Sequence, residues 1–176
     1  MAQTARSFAA LETLLATNGA KDISATALRD FLESAMGCYG SMYVDGGTTA
    51  AAIGAAFALL VPPWLVGGTC RNTTANLAAS KLEVDADGIY AISFAATALV
   101  TGATDRFAFE VRNLGVKVAG LTAEITGTLG ERVGAQIGPR AVSLTAGDEI
   151  SIYAKAVGGV GDLTIEHAQL ALDRVG

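Results

Sequence analysis

The chain has 176 residues, of which 51% are hydrophobic and only 16% are charged, and its formal net charge is −5. The net negative charge gives no basic surface for binding nucleic acid or an anionic membrane. The high hydrophobic content excludes an intrinsically disordered chain. The most apolar run, residues 50–61, is shorter than the roughly 20 residues that a membrane-spanning helix needs, and the first six residues lack the order of a signal peptide. We therefore expect a protein that folds in a cytosol, with Cys38 and Cys70 as reduced thiols.

The first 40 residues begin with a helical pattern. Apolar residues at spacings of three and four fall on one face of a helix; they are Phe8, Leu11, Leu14 and Leu15. Ser7 is a suitable N-cap. Asn18-Gly19 ends this helix, because both residues accept the left-handed conformation of a C-cap.

A second helix is predicted to begin after Asp22 or Ser24 and to end at Gly37. Its apolar stripe consists of Leu28, Phe31, Leu32, Ala35 and Met36. Isolated helices of this length are marginal in water, so both stripes must be buried against something else. The sequence thus predicts a helical hairpin that docks on a partner or on the remainder of its own chain.

From Tyr39 onward the pattern has a period of two. Large apolar residues alternate with smaller or polar ones in several segments, and turn residues recur every ten to fifteen positions with no helical stretch between them. The core-facing residues of these segments are Tyr90, Ile92, Phe94, Phe107, Phe109, Val111, Val142, Leu144, Ile150 and Ile152. This arrangement is typical of an all-β sandwich or barrel.

Two segments depart from simple alternation. In the last strand Leu163 and Ile165 occupy odd-numbered positions, whereas Ala168, Leu170 and Leu172 occupy even-numbered ones. A regular strand would point the two sets to opposite faces, so we predict a β-bulge near residues 166–168. The run from Ala50 to Leu65 is rich in alanine, which favours a helix. Because Thr48-Thr49 and Pro62-Pro63 bracket the run, we instead predict an early strand, with Ala51, Ile53, Ala55 and Phe57 on one face.

Residues suited to catalysis are sparse. The single histidine, His167, would have to serve any histidine-dependent triad, and one histidine with two distant cysteines does not provide a zinc site. Asp85 and Asp87 flank a turn in which aspartate and glycine are ordinary turn formers, although a calcium site there remains an alternative. We expect no catalytic, cofactor-binding or metal-binding residues and no enzymatic activity.

Four segments carry a resemblance to a known fold. Residues 81–94 contain a strand, a turn, Gly88-Ile89-Tyr90 and a second strand; residues 107–113 form a core strand and turn; residues 142–153 place Gly147-Asp148 before an alternating strand; and residues 163–172 form a closing strand. In this order they resemble the jelly rolls of tumour necrosis factors and complement heads. The resemblance implies a mainly β, antiparallel jelly-roll sandwich that assembles as a homotrimer.

The N-terminal part carries a second resemblance. Asp22-Ile23-Ser24 leading into Leu28-Arg29-Asp30-Phe31 is similar to the opening of tailed-bacteriophage virion proteins, in which a short helical anchor precedes a jelly roll of this kind. We therefore expect a helical anchor over residues 1–40 and a jelly-roll domain over residues 41–176. The function implied is a structural virion protein, a capsid decoration protein or head fibre, assembled in the host cytoplasm.

The resemblance also implies partners and contact residues. The anchor would dock on the major capsid protein or another virion protein, with no nucleic acid or membrane involved, through Phe8, Leu11, Leu14, Leu15, Leu28, Phe31 and Leu32. Ser151 and Tyr153 lie opposite the core face of their strand, and we expect them in the trimer interface, because closed symmetry buries such a second face. A tail-fibre tip or adhesin that binds a host-cell surface is the alternative function, since one fold can serve both roles.

Overall fold

The computed structural model describes residues 39–47, 50–66, 70–102, 105–158 and 161–175. Within these residues it contains twelve β-strands. The described residues contain no helix that is long and apolar enough to span a membrane. The strands are β1 (Tyr39–Asp45), β2 (Ala50–Ile53), β3 (Ala58–Leu59), β4 (Leu65–Val66), β5 (Thr73–Asn76), β6 (Lys81–Val84), β7 (Gly88–Val100), β8 (Asp105–Asn113), β9 (Val116–Gly127), β10 (Arg132–Leu144), β11 (Glu149–Ala156) and β12 (Gly161–Arg174).

The strands form two antiparallel sheets that pack face to face. Sheet A has the order β10-β7-β12-β1-β4, with β2 also paired to β12, and sheet B has the order β5-β6-β11-β8-β9, with β3 also paired to β11. Neighbours within a sheet are often distant in sequence, as β1 and β12 are. The predicted antiparallel sandwich is therefore confirmed.

Alternating apolar residues of both sheets fill the space between them. Tyr90, Ile92 and Phe94 of β7 are at most 1% exposed, as are Phe107 and Phe109 of β8. The rings of Phe94 and Phe109 meet across the two sheets with centroids 5.9 Å apart. The Tyr90 hydroxyl donates a hydrogen bond to the Ala86 carbonyl at 2.7 Å. This bond satisfies the only polar atom of the tyrosine side chain. The period-two pattern thus identified the core correctly.

The predicted bulge in the last strand is confirmed. The pairing of β12 with β7 shifts by one residue between Ile165 and His167. The extra residue lets Leu163 on one side and Leu170 on the other both point into the core. A second bulge, between Ile137 and Arg140 of β10, was not anticipated. Pro139 lies inside it, at a position that needs no backbone donor.

The segment from Ala50 to Leu65 differs from the predicted single strand. It forms three short strands, of which β2 and β4 belong to sheet A and β3 to sheet B. The predicted common face extends only as far as Ile53, which is buried, whereas Ala55 is exposed. The chain leaves sheet A at Gly54 and returns after Pro62-Pro63, two residues that have no backbone N–H for a ladder.

The predicted helical anchor lies outside the described residues, apart from Tyr39 and Gly40, which belong to β1. The seven predicted docking residues, Phe8, Leu11, Leu14, Leu15, Leu28, Phe31 and Leu32, are among those not described. Their helical conformation and their docking role stay predictions. The described chain enters the sandwich at Tyr39, whose backbone pairs with Arg71 through hydrogen bonds of 3.0 and 2.8 Å.

Candidate functional site: the outer faces of the two sheets

The outer face of sheet A has a band without charged side chains. Strand pairing aligns Leu65, Tyr43, Gln169, Ala95 and Gln136 in one row across five strands. Ser41, Ala171 and Ser93 form the next row. All of these positions alternate with buried core residues, so their side chains point away from the core. The band offers uncharged groups to whatever lies against it, and those of its second row are small.

A shallow depression of about 480 Å³ lies at the edge of this band, lined by Tyr43, Ala95 and Gln169 of the band and by Asp45, Thr97 and His167 beside it. Its lining includes the small residues Ala95, Ala96 and Ala168, together with the larger side chains of Tyr43 and Gln169. The depression exists because alanines stand where neighbouring strands carry longer side chains. A protruding side chain of another molecule could fill it and would meet the Asp45–His167 pair at one side.

Two ion-paired groups of this face lie at one end of the band, and the exposed Asp173 lies beyond its other end, in the row of Tyr39 and Ala91. The Nδ1 atom of His167 lies 3.1 Å from Oδ1 of Asp45, and these two residues are paired across β12 and β1. Beside them, the Arg132 guanidinium donates hydrogen bonds to both carboxylate oxygens of Glu166, at 2.9–3.2 Å. These bonds hold the pKa of Glu166 below its usual value, and they raise the pKa of Arg132.

The outer face of sheet B is organised around a buried carboxylate. Glu110 is only 1% exposed. Its Oε1 accepts a hydrogen bond from Nε of Arg112 at 2.7 Å, and its Oε2 lies 3.6 Å from Nζ of Lys117. Because a buried carboxylate needs polar partners, these two cations compensate for its removal from water.

Two aromatic rings cover the same arginine. The guanidinium carbon of Arg112 lies 4.3 Å from the ring centroid of Tyr153 and 5.5 Å from that of Phe57. Phe57 precedes β3, so the stack holds the β2–β3 connection onto the outer face of sheet B. Nζ of Lys155 also lies over the Phe57 ring, at 4.7 Å. Cation–π contacts of this kind stabilise the covered arrangement.

Ser151 and Tyr153 therefore lie on the outer face of sheet B, as the alternation predicted. Ser151 is only 8% exposed, and Tyr153 is covered by Arg112 of the same chain. Their role in a trimer interface stays a prediction. The structure assigns them contacts within their own subunit.

A second ion-paired group lies further along sheet B. Lys81 contacts the carboxylates of both Glu83 and Glu149. The bond to Glu149 raises the pKa of Lys81, while hydrogen bonds from Asn76 and Lys81 lower the pKa of Glu83. The outer face of sheet B is thus charged and internally neutralised, whereas the central band of sheet A is uncharged.

Residues considered for chemistry have structural contacts. Asp87 accepts a hydrogen bond from the Ala146 amide at 2.8 Å, and Asp85 accepts one from the Thr74 hydroxyl at 3.2 Å. Asp87 therefore holds the neighbouring turn at Ala146, and Asp85 contacts strand β5. In the described part of the chain no three histidine, cysteine or acidic side chains converge as metal ligands. Cys70 has a free thiol, and Cys38 lies outside the described residues.

Sequence reasoning missed two features of these faces. The uncharged band of sheet A combines residues from five strands, and local periodicity does not reveal which strands become neighbours. The Glu110–Arg112 pair could have been found, because residues two apart on a strand share a face and this pair has opposite charges.

No protein-family model matches the chain, and no curated protein sequence matches it. Solved structures do match by fold. Eiger TNF from S. frugiperda aligns with a TM-score of 0.56 and 13% identity, covering 79% of this chain and 94% of that structure. The globular domain of zebrafish complement 1qA aligns with a TM-score of 0.53 and 12% identity, covering 76% and 94%, and murine APRIL at pH 5.0 with 0.54 and 13%, covering 78% and 99%. The jelly-roll fold expected from the sequence is thus confirmed.

Proposed function

We propose that this protein is a homotrimeric structural component of a bacteriophage particle, which decorates or projects from the capsid. The anchor of residues 1–40 attaches it, and the β domain points outward. The trimer is the part of the proposal that the geometry supports best. The observation that carries it is the contrast between the uncharged band on sheet A and the ion-paired outer face of sheet B.

The uncharged band is well suited to contact with a second copy. Small side chains let two surfaces approach closely, and the depression beside Tyr43 and Gln169 can receive a side chain from the neighbour. Depletion of charge at the centre with charged groups at the rim is the usual anatomy of a protein interface. Here Asp45, His167, Arg132 and Glu166 provide such a rim. Closed cyclic symmetry then lets every copy use the same pair of surfaces.

The resemblance to trimeric jelly rolls agrees with this assignment. We propose the interface on sheet A and not at Ser151 and Tyr153, because Ser151 is only 8% exposed and Arg112 of the same chain lies over the Tyr153 ring. The virion role is supported by the resemblance of the N-terminal segment to phage anchors.

Two measurements test the proposal. Light scattering at micromolar concentration should give three times the 17.8 kDa chain mass, and a monomer mass would contradict the trimer. Mass spectrometry and gold labelling of purified particles should then find the protein on the capsid in hundreds of copies. Its absence from particles would refute the virion role.

Host-surface binding is the second candidate, and the depression on sheet A is the observation that favours it. Tyr43, Asp45, Thr97, His167 and Gln169 supply an aromatic ring and several hydrogen-bonding groups around one hollow. Such a set suits a polar ligand such as a glycan. This role requires the face to remain open, so a monomeric protein present in only a few copies at the tail would favour it over decoration.

A further inference from the structure

One end of sheet A exposes three large apolar side chains close together. Tyr39 is 42% exposed, Ile89 45% and Val175 61%. The Val175 amide donates a hydrogen bond to the Ile89 carbonyl at 2.7 Å, and Tyr39 pairs with Asp173, two residues before Val175. We call these three residues the end patch.

The end patch lies where the N-terminal segment joins the sandwich. Tyr39 is the first residue of β1, so residues 1–38 connect to the fold at this patch. The predicted second helix ends at Gly37, and three Cα–Cα steps separate Met36 from Tyr39. At 3.8 Å for each step, these two Cα atoms lie within about 11 Å of each other. The covalent link to Tyr39 therefore brings the end of any helix that stops at Gly37 within reach of the patch.

The two surfaces also match in chemistry. The predicted stripe presents Leu28, Phe31 and Leu32, and the end patch presents a tyrosine, an isoleucine and a valine. A tether of two residues gives the helix a high effective concentration at the patch, which a separate molecule does not have. The same contact would supply the tertiary packing that a helix of this length needs.

We propose that the predicted second helix packs on the end patch of its own subunit through Leu28, Phe31 and Leu32. As far as it concerns attachment, this inference rests on the proposed function. It divides the anchor into two parts: the second helix fixes the direction of the hairpin, and the stripe of Phe8, Leu11, Leu14 and Leu15 is left to contact the particle.

Cysteine cross-linking of the full chain tests the packing. With Cys38 and Cys70 replaced by serine, Leu32→Cys combined with Val175→Cys should form a disulfide within one chain under mild oxidation. Each of two control pairs keeps one of the two cysteines of the test pair and moves the other. Asp30→Cys with Val175→Cys uses the opposite face of the predicted helix, and Leu32→Cys with Leu129→Cys uses the far end of the sandwich, where the Gly130 amide bonds to the Val100 carbonyl.

We expect the first pair to form its disulfide at least tenfold faster than either control. Equal rates for the three pairs, or a disulfide only between chains, would overturn the proposal. Hydrogen exchange gives a second measurement: Val175→Asp should abolish the protection of amides 28–36, whereas Leu129→Asp should leave it unchanged. Protection that survives Val175→Asp would also overturn the proposal.

The outcome is independent of the trimer and virion tests. A trimer without the 32–175 disulfide refutes only the docking of the second helix. A monomer that forms this disulfide refutes the trimer and leaves the docking intact.

Discussion

The carboxylate of Glu110 is buried in the middle of a sheet face, where water cannot solvate its charge. The cationic groups of Arg112 and Lys117 pair with the carboxylate in place of water. Replacement of the carboxylate by an apolar group would leave Arg112 between two aromatic rings with its anion removed. Loss of one partner from a buried ion pair is far more costly than loss of an exposed one.

We predict that Glu110→Ala lowers the free energy of unfolding by about 3 kcal/mol, the usual cost of breaking a buried pair. Urea denaturation followed by circular dichroism measures this. Glu124→Ala is the matched control: it lies on the same sheet and pairs with Arg106 at 3.7 Å, but both side chains are more than half exposed, so a change below about 1 kcal/mol is expected. Equal effects of the two substitutions would contradict the proposed importance of Glu110.

Gly40 allows close contact between β1 and β5. A Cβ atom at this position would lie 2.1 Å from Oγ1 of Thr73, and that hydroxyl donates a 2.6 Å hydrogen bond to the Tyr39 carbonyl. The added methyl group therefore has to displace a threonine that is already held in place.

We predict that Gly40→Ala destabilises the protein by about 1–3 kcal/mol, the usual range for overpacking. Gly54→Ala is the control, because a Cβ there meets no atom within 4 Å and should be neutral or slightly stabilising. Thermal unfolding of the two variants compares them directly. A Gly40→Ala protein as stable as the parent would show that Thr73 can move freely.

Among the elements, those with strong contrast between neighbouring residues were predictable from sequence. In β7 and β8 large apolar residues alternate with small or polar ones, so the pattern identifies the buried face. The run from Ala50 to Leu65 has little such contrast, and the sequence could not show where it breaks or which sheet each piece joins. The uncharged band of sheet A could not be predicted, because it depends on pairing between strands as distant as β1 and β12.

Three carboxylates have hydrogen bonds that make them respond to acid, two of them between strands and one, Glu131, within a turn. Hydrogen bonds from Arg132 lower the pKa of Glu166, those from Asn76 and Lys81 lower that of Glu83, and those from the Thr128 amide and hydroxyl lower that of Glu131. A lowered folded-state pKa means that the carboxylate stabilises the fold above its unfolded pKa, near 4.5. This stabilisation is lost as the pH falls through the folded-state pKa.

We therefore predict that the urea midpoint of unfolding falls as the pH drops below about 4.5. Glu166→Gln should lower the midpoint at pH 7 and show a smaller further decline in acid than the parent. Urea titrations at several pH values from 7 to 3 measure both effects. An unchanged acid slope in this variant would show that the bond between β10 and β12 does not contribute to acid sensitivity.

The whole molecule presents two faces of opposite character. Sheet B neutralises its own charges, and sheet A leaves an uncharged band open. Burial of this band between copies predicts which substitution should disrupt assembly without unfolding the subunit.

We predict that Ala95→Arg raises the dissociation constant of the trimer by about 100-fold or more, because it places an unpaired charge in the interface of every copy. Light scattering at several concentrations measures the change, and circular dichroism checks that the fold is retained. Ala58→Arg, an exposed alanine on β3 of sheet B, is the control and should remain trimeric. A trimeric Ala95→Arg protein would exclude sheet A as the interface.

The pairing of Tyr39 with Asp173 brings the entry of β1 and the exit of β12 to one end of the sandwich. Foreign sequence appended at the C-terminus would therefore emerge at the end of the sandwich where the N-terminal segment joins β1. The turn at Thr128–Gly130 lies at the opposite end, beside Val100, and its Leu129 side chain is 68% exposed. An antigenic peptide inserted in this turn would project into solution from every subunit, so this hairpin is the natural position for using the protein as a display scaffold.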